Sequence, residues 1–365
     1  QTKKTPTATA TPLSVWGKTL YTTPASAPLV GYQNLSWSPN SKRVASVMTD
    51  YKGIQIWDAL TGNHPVTIPL SDKRIYDMDW SPDGKYIAVA TTMGVLIVNS
   101  QTGANVGGGL NLIAYNVISS DQTVARSPMG EVIPYNGVSS YHAVAWSPKG
   151  DLLAASDANI VKVWVPQTDN QKNVTLDAFN LTLSLEAGYT IDSLSWSSDG
   201  RFLAATALYQ FGGAPTLAVA WDVTTSQGKV VFRNAGSVNG VLAWQPQSHN
   251  LAFVALTSSG GNAVNTLELW DAVTGKLVKQ YTDTSMGGGL AWSPDGTFIA
   301  HGHINDDGNT STVVILDAAT GKQVYAYSEH QSLVTVIAWS PNGKYIVSGE
   351  GQTKGQSVAK VWTAA

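Results

Sequence analysis

Residues 290–296 read Leu-Ala-Trp-Ser-Pro-Asp-Gly, an apolar pair and a tryptophan followed by a tight-turn signal. Proline fixes its own φ and glycine supplies a positive φ, so Ser-Pro-Asp-Gly predicts a reverse turn between two strands. The stretch recurs, with variations, around seven tryptophans: Trp37, Trp80, Trp146, Trp196, Trp244, Trp292 and Trp339. Their spacings are 43, 66, 50, 48, 48 and 47 residues. A period this regular indicates a repeat architecture.

A complete repeat contains four apolar runs separated by turn signals. In the sixth repeat the runs lie before Trp292, at 297–302 (TFIAHG), at 313–317 (VVILD) and at 321–327 (GKQVYAY). Four antiparallel strands in about 48 residues fit one blade of a propeller, in which neighbouring blades cover both faces of each sheet. The sequence therefore predicts an all-β, seven-bladed β-propeller with four antiparallel strands per blade.

The turn after the first strand occurs together with a second motif at the end of the third strand, as in Trp57-Asp58 and Trp270-Asp271. This combination resembles the WD-repeat family, in the bacterial type with Trp-Ser-Pro-Asp-Gly repeats, over residues 13–365. The second motif departs from the family pattern at Trp164-Val165, Val98-Asn99 and Leu316-Asp317. The family's Gly-His element survives only as Glu329-His330, so the resemblance implies that the family's buried His–Ser/Thr–Asp–Trp network is mostly absent.

The ends of the chain predict how the ring closes. The seventh repeat stops at 361–365 without an outer strand, whereas residues 17–21 align with residues 321–325 of the sixth. We expect this N-terminal strand to complete the last blade, which removes an unpaired edge. Residues 1–12 are a Thr/Pro-rich linker or stalk, residues 13–365 form a single propeller, and an insertion at about 104–140 separates blades two and three.

Composition and charge exclude several classes of function. A net charge of −3 provides no field for nucleic acid, and the absence of cysteine excludes thiolate catalysis and disulfides. No apolar run is long enough to insert into a membrane. Thr/Pro-rich stalks commonly join an anchor to an extracytoplasmic domain, so residues 1–12 favour an extracytoplasmic or secreted protein, with an anchor before Gln1 as one arrangement. A cytoplasmic linker is the alternative.

The long loops predict the binding face. Alternate turns of a meander share one end, which places the loops at 207–216, 257–266, 301–312 and 349–356 and the insertion together, opposite a face of short turns. The candidate contacts on this face are Tyr32, Tyr76, Tyr141, His142, Tyr189, Tyr209 and Phe211. A half-ring of tyrosines at the channel mouth suits a protein or peptide partner, and also a glycan. In the alternative, each tyrosine packs against its own loop.

One hairpin offers a weak metal-site candidate. His301 and His303 alternate along a strand and share a face, and Asp306 and Asp307 follow with oxygen ligands. The spacing matches no known metal motif, so we favour a polar hairpin tip and predict no metal and no cofactor.

Three functional hypotheses remain open. The first is a non-catalytic binding, scaffold or sensor module. The second is an enzyme (a hydrolase, a lyase or a cofactor-dependent enzyme) with its site at the channel mouth. It would require convergent carboxylates or histidines on the inner strands, where the sequence reads mainly as apolar residues, glycine or tyrosine. The third is a structural subunit of a larger assembly.

Overall fold

A computed structural model arranges the chain as a ring of seven antiparallel sheets. The structure describes residues 16–24, 35–48, 53–70, 74–92, 94–110, 124–126, 132–134, 141–170, 173–176, 179–210, 216–225, 227–234, 237–259, 262–282, 285–351 and 358–364. Every helix or strand element in these residues is a strand, and none of them forms a helix long and apolar enough to cross a membrane. The predicted seven-bladed propeller with four antiparallel strands per blade is confirmed.

The strands are numbered along the chain, and β1 (Thr19–Thr22) belongs to the last blade. Blade one contains β2 (Leu35–Trp37), β3 (Arg43–Val47), β4 (Gly53–Asp58) and β5 (Val66–Pro69). Blade two contains β6 (Ile75–Trp80), β7 (Tyr86–Thr91), β8 (Gly94–Asn99) and β9 (Asn105–Leu110). A separate hairpin consists of β10 (Val124–Arg126) and β11 (Val132–Pro134). Blade three contains β12 (Tyr141–Trp146), β13 (Leu153–Asp157), β14 (Ile160–Trp164) and β17 (Phe179–Ser184), with β15 (Gln167–Thr168) and β16 (Val174–Thr175) between its last two strands.

The remaining blades have the same four-strand order. Blade four contains β18 (Tyr189–Trp196), β19 (Phe202–Tyr209), β20 (Leu217–Asp222) and β21 (Lys229–Arg233). Blade five contains β22 (Ser237–Trp244), β23 (Asn250–Ser259), β24 (Asn262–Asp271) and β25 (Lys276–Thr282). Blade six contains β26 (Met286–Trp292), β27 (Phe298–Ile304), β28 (Ser311–Asp317) and β29 (Gln323–Tyr327). Blade seven contains β30 (Val334–Trp339), β31 (Tyr345–Glu350) and β32 (Ala359–Thr363), followed by β1 at its outer edge.

The Ser-Pro-Asp-Gly turn is held by its own side chains. In blade six the Ser293 hydroxyl donates to Asp295 at 2.6 Å and accepts the Phe298 N–H at 2.8 Å, while Asp295 accepts the Thr297 N–H at 3.0 Å. Gly296 closes the turn with a φ of 73°, which is the left-handed region that favours glycine. The motif therefore fixes the first hairpin of a blade locally.

The core lies between the blades. Among the described residues, seven apolar clusters occur, and each joins residues of two neighbouring blades. The first-strand tryptophans are buried there. Trp196 Nε1 donates to the Ala145 carbonyl of the preceding blade at 3.0 Å, and Trp244 Nε1 donates to the Ser195 carbonyl at 2.9 Å. Each sheet therefore buries both faces, as the strands' apolar runs predicted.

The N-terminal strand closes the ring, as predicted. β1 pairs antiparallel with β32, with Thr19 opposite Trp362 and Tyr21 opposite Val361. Just ahead of the strand, the Trp16 ring stacks on Tyr325 at 5.8 Å. The two ends of the chain therefore share one sheet.

Two expectations about loops need correction. Residues 105–110 form β9, the outer strand of blade two, so the insertion begins after this strand and not at 104. The face opposite the long loops does not carry only short turns, because the connection at 165–178 forms β15 and β16 and adds both strands to blade two. Val174 pairs in parallel with Gly107, which has no side chain where the Val174 carbonyl lies. The sequence did not reveal this pairing because it joins two different repeats.

Candidate binding site at the channel mouth

The innermost strands are irregular where they begin, at the long-loop end. In blade two, Ile75 pairs with Thr91 and Asp77 with Ala90, which leaves Tyr76 as an additional residue. Register shifts at the same position leave Asp192 as the additional residue in blade four and Thr335 in blade seven. A β-bulge re-aims side chains and is common beside functional sites. The bulges therefore place an additional side chain at the mouth of the central channel.

The side chains at the mouth of blades two to four form a polar aromatic cluster. The Tyr76 and His142 rings lie 4.7 Å apart at 31°, and the Arg74 guanidinium lies 5.5 Å from the Tyr76 ring centre. The Tyr76 and His142 rings are both half-buried. Burial lowers the pKa of His142; the Asp192 carboxylate opposes this shift and Arg74 adds to it. The imidazole is therefore neutral near pH 7, and we call Arg74, Tyr76, His142 and Asp192 the mouth cluster.

A second aromatic pair lies on the same face in blade four. Tyr189 and Tyr209 pair across β18 and β19, with ring centres 5.1 Å apart. Arg233 binds Glu186 through two hydrogen bonds of 2.7 and 3.0 Å, and it also interacts with Tyr189. No ring contact among the described residues joins this pair to the mouth cluster.

Of the four tyrosines of the predicted half-ring, the structure describes the side chains of Tyr76 and Tyr189, and these two do not lie side by side. Tyr76 lies four residues before its tryptophan, whereas Tyr189 lies seven residues before Trp196, so the two rings occupy different levels of the propeller. Tyr32 and Phe211 lie outside the described residues, and the same holds for the side chain of Tyr141. In the structure the Tyr76 ring contacts His142 and the Tyr189 ring contacts Tyr209. Both contacts depend on the packing of strands that are distant in sequence, so the sequence alone did not predict them.

Two channel carboxylates are exceptions on inner strands that read mainly as apolar residues, glycine or tyrosine. Asp77 accepts the Val144 N–H at 3.0 Å and Asp79 accepts the Trp146 N–H at 2.8 Å. Both residues keep part of their surface exposed, but their carboxyl groups are surrounded by protein. Burial raises the pKa of Asp77 to about 8 and that of Asp79 to about 7. The alternation in Asp77-Met78-Asp79, where the other repeats have no charged residue, was the signal that the sequence offered.

The carboxylates line two cavities along the ring axis. One, of about 250 Å³, lies towards the long-loop face and is lined by Asp77, Ser193 and Thr335 among mostly apolar residues. The other, of about 340 Å³, lies towards the turns and includes Asp77 and Asp79. Neither lining, as far as the structure describes it, includes a lysine or an arginine. Because each carboxylate accepts backbone N–H groups of blade three, both tie adjacent blades together at the inner edge.

The metal candidates do not converge. His301 is buried and His303 is partly exposed, and both border a groove of about 750 Å³ between blades five and six. Asp307 accepts the N–H groups of Asn309 and Thr310 at the hairpin tip. Within the described part of the chain, no three His, Asp or Glu side chains lie together as a metal site.

Comparison with known proteins agrees with the fold. Residues 283–342 match the WD40 domain of anaphase-promoting complex subunit 4, and residues 64–94 and 135–165 match the WD domain, G-beta repeat. The APC/C activator protein CDC20 of Saccharomyces cerevisiae is 22% identical over 283 residues, which cover 75% of this chain and 37% of that protein. A chain in the crystal structure of a mitotic checkpoint complex gives a TM-score of 0.67 at 18% identity, covering 99% of this chain and 97% of that one. These matches support a WD-repeat propeller.

Proposed function

We propose that this chain is a non-catalytic protein-binding module that holds a segment of its partner at the long-loop face. The observation that carries the proposal is the pair of half-buried aromatic contacts there, Tyr76 with His142 and Tyr189 with Tyr209. Rigid aromatic rings with polar tips provide contact area at little entropic cost, and such rings dominate binding hot spots. Arg74 and Arg233 lie beside them and add charged donors.

The similar proteins support this class of function. By their names, the matched proteins are a subunit of the anaphase-promoting complex, an activator of that complex and a checkpoint assembly, and all of these work through association with proteins. The chain spans little more than a third of the curated relative's length, so a particular partner is not transferred from it.

The test is a selection of displayed random peptides on the purified chain, followed by affinity measurements with variants. We expect Tyr76→Ala and Tyr209→Ala each to weaken binding about tenfold, or roughly 1.4 kcal/mol, because each removes a ring from the contact. Leu60→Ala, an exposed residue in a turn of the opposite face, is the matched control and should bind normally. If the selected peptides are insensitive to both tyrosine variants but sensitive to Leu60→Ala, the binding site lies on the face opposite the long loops, which contradicts the proposal.

An enzyme remains the second candidate because of one observation, the raised pKa values of Asp77 and Asp79 in the channel. Shifts of this kind cluster at functional sites, but structural contacts also cause them. Here the backbone N–H groups of Val144 and Trp146 already occupy an oxygen of each carboxyl group. This contact favours a structural role, and a search for hydrolase activity that Asp77→Asn abolishes would decide for the enzyme.

The cellular setting is part of the same proposal. The Trp-Ser-Pro-Asp-Gly repeats support a bacterial type, and the Thr/Pro-rich residues 1–12 support an extracytoplasmic module on a stalk. Fractionation of cells that make the full-length protein tests this proposal, and recovery in the cytoplasm would contradict it.

A further inference from the structure

The outer strand of blade five is an open edge in the part of the chain that the structure describes. β25 pairs with β24 on one side and is the last strand of its sheet, and with seven residues it is the longest outer strand described. Leu277 and Val278 on this strand are 45% and 52% exposed, and Val273 in the preceding turn is 49% exposed. An exposed apolar edge of this length is a template for pairing with another strand.

Blade two shows that the rim of this propeller accepts an additional strand. Its outer strand β9 occupies the position that β25 has in blade five, and it is covered by β16, with β15 beyond it. The pairing is parallel and places Val174 beside Gly107. Among the described residues, the same position therefore carries an additional strand in blade two and none in blade five.

A groove runs along the open edge. It has a volume of about 750 Å³ and lies between β25 and blade six, with Tyr281, Met286, His303 and Gln323 in its walls. A strand that pairs with β25 directs alternate side chains to opposite faces, so one set enters this groove. The edge supplies backbone hydrogen bonds and the groove supplies side-chain selectivity, which are the two parts of strand-addition recognition.

The charges on and near β25 indicate which kind of strand can pair with this edge. β25 contains Lys276 and Lys279 and no acidic residue, and Lys322 follows in the adjoining turn of blade six. The Lys279 ammonium reaches across the groove and donates to the Ala318 and Ala319 carbonyls, so among the described residues Lys276 and Lys322 are the cations without such a contact to blade six. Of the nearby carboxylates, Asp271 and Asp317 accept N–H groups of their own turns, and Asp317 also interacts electrostatically with Lys279. Antiparallel pairing of β25 with β25 of a second copy brings four lysines together, which is unfavourable. An extended segment with alternating acidic and apolar residues matches both the charge and the apolar edge.

We propose that β25 is a docking edge for an extended acidic segment of a partner protein, which adds to blade five as a fifth strand. This interaction surface lies on the rim and is independent of the function proposed for the channel mouth. The partner's acidic side chains lie beside the lysines, and its apolar side chains cover Leu277 and Val278.

The probe is a fluorescent peptide of alternating glutamate and valine, with alternating lysine and valine as the charge control. We expect the acidic peptide to bind saturably, and Val278→Asp to weaken it about tenfold or more, because the new carboxylate repels the probe. Val324→Asp is the matched control: Val324 has the aligned position in blade six, is 44% exposed, and should change the affinity less than about twofold. Thermal unfolding confirms that both variants fold.

N-methylation of the probe tests the strand pairing itself. Only alternate N–H groups of an added strand face β25, so methylating one alternate set should abolish binding and methylating the other should not. The proposal fails if the acidic peptide does not bind, if the lysine peptide binds equally well, if the two valine variants lose affinity equally, or if both methylated peptides behave alike. It also fails if the chain dimerises and Val278→Asp disperses the dimer, because the edge then belongs to a second copy.

Discussion

At the scale of single residues, the channel carboxylates have the most unusual chemistry in the described chain. Asp77 faces the ring axis from blade two and accepts the backbone N–H groups of Val144 and Met78. Its acidic neighbours are Asp79 and Asp192. Burial and these like charges oppose ionisation, while the two N–H groups favour it. Because burial dominates, the folded protein holds a proton there that the unfolded chain releases.

This linkage predicts how stability depends on pH. The contribution of Asp77 is fully present below the unfolded pKa of 3.8 and is lost as the pH rises towards the folded pKa of about 8. Asp77→Asn keeps an acceptor oxygen but removes the ionisation, so its free energy of unfolding relative to the natural chain should increase between pH 5 and pH 9. We expect a gain of about 1–2 kcal/mol, reduced from the full linkage because Asp77 is only half-buried.

Denaturant unfolding of both proteins across this pH range measures the gain. Asp83→Asn is the control: hydrogen bonds from Ser81 and Lys85 lower the pKa of Asp83 despite partial burial, so Asp83 stays ionised from pH 5 to pH 9 and this variant should differ from the natural chain by a constant amount. A constant difference between Asp77→Asn and the natural chain at all pH values would show that Asp77 ionises normally.

At the scale of elements, blade seven contains a buried polar network of the kind that the WD-repeat resemblance implied to be mostly absent. His330 contacts Glu350 through Nδ1 at 2.9 Å and Ser348 through Nε2 at 2.7 Å, and Trp362 Nε1 donates to Ser348 at 3.0 Å. Since burial lowers the pKa of His330, the ring is neutral, with its Nδ1–H donating to Glu350 and Nε2 accepting from Ser348. The network joins the blade's entry loop to β31 and β32.

Removing the central hydroxyl tests the network. Ser348→Ala leaves the buried Trp362 N–H and the His330 Nε2 atom without this partner, so we expect a loss of about 1–3 kcal/mol in the free energy of unfolding. Ser46 has the aligned position in blade one, but its buried hydroxyl has no hydrogen-bond partner among the described residues. Ser46→Ala should therefore be neutral or slightly stabilising. Equal losses for the two variants, measured by denaturant unfolding, would show that the network contributes no stability.

At the scale of the whole molecule, stability depends on closing the ring. Each blade covers a face of the next, so an incomplete last blade exposes apolar surface and an unpaired strand. β1 and Trp16 cover this edge, since β1 pairs with β32 and Trp16 packs on Tyr325 and edge-on to Phe298 at 5.5 Å.

Two truncations test the closure. Deletion of residues 1–23 removes β1 and Trp16, and we expect aggregation or a loss of several kcal/mol in stability, because β32 then becomes an edge strand. Deletion of residues 1–11 should leave the melting temperature nearly unchanged. If both truncated chains melt at the same temperature, β1 does not stabilise the ring.

The sequence by itself determined the repeat and nearly every element of the ring. Seven copies of the tryptophan and turn motif fixed the number of blades, because the Ser-Pro-Asp-Gly turn is built from its own side chains and needs no distant partner. The alignment of residues 17–21 with residues 321–325 predicted the ring closure, because the outer strand of one blade resembles the outer strands of the others.

The tertiary structure alone decided which side chains meet. Tyr76 contacts His142 across two blades, Asp77 reaches the backbone of Val144, and β16 covers the edge of blade two. Each of these contacts joins different repeats through irregular backbone, either a bulge or a loop, where no periodicity relates one residue to another. Local turn chemistry and strand alternation act within one repeat, whereas the channel mouth and the rim are formed between repeats.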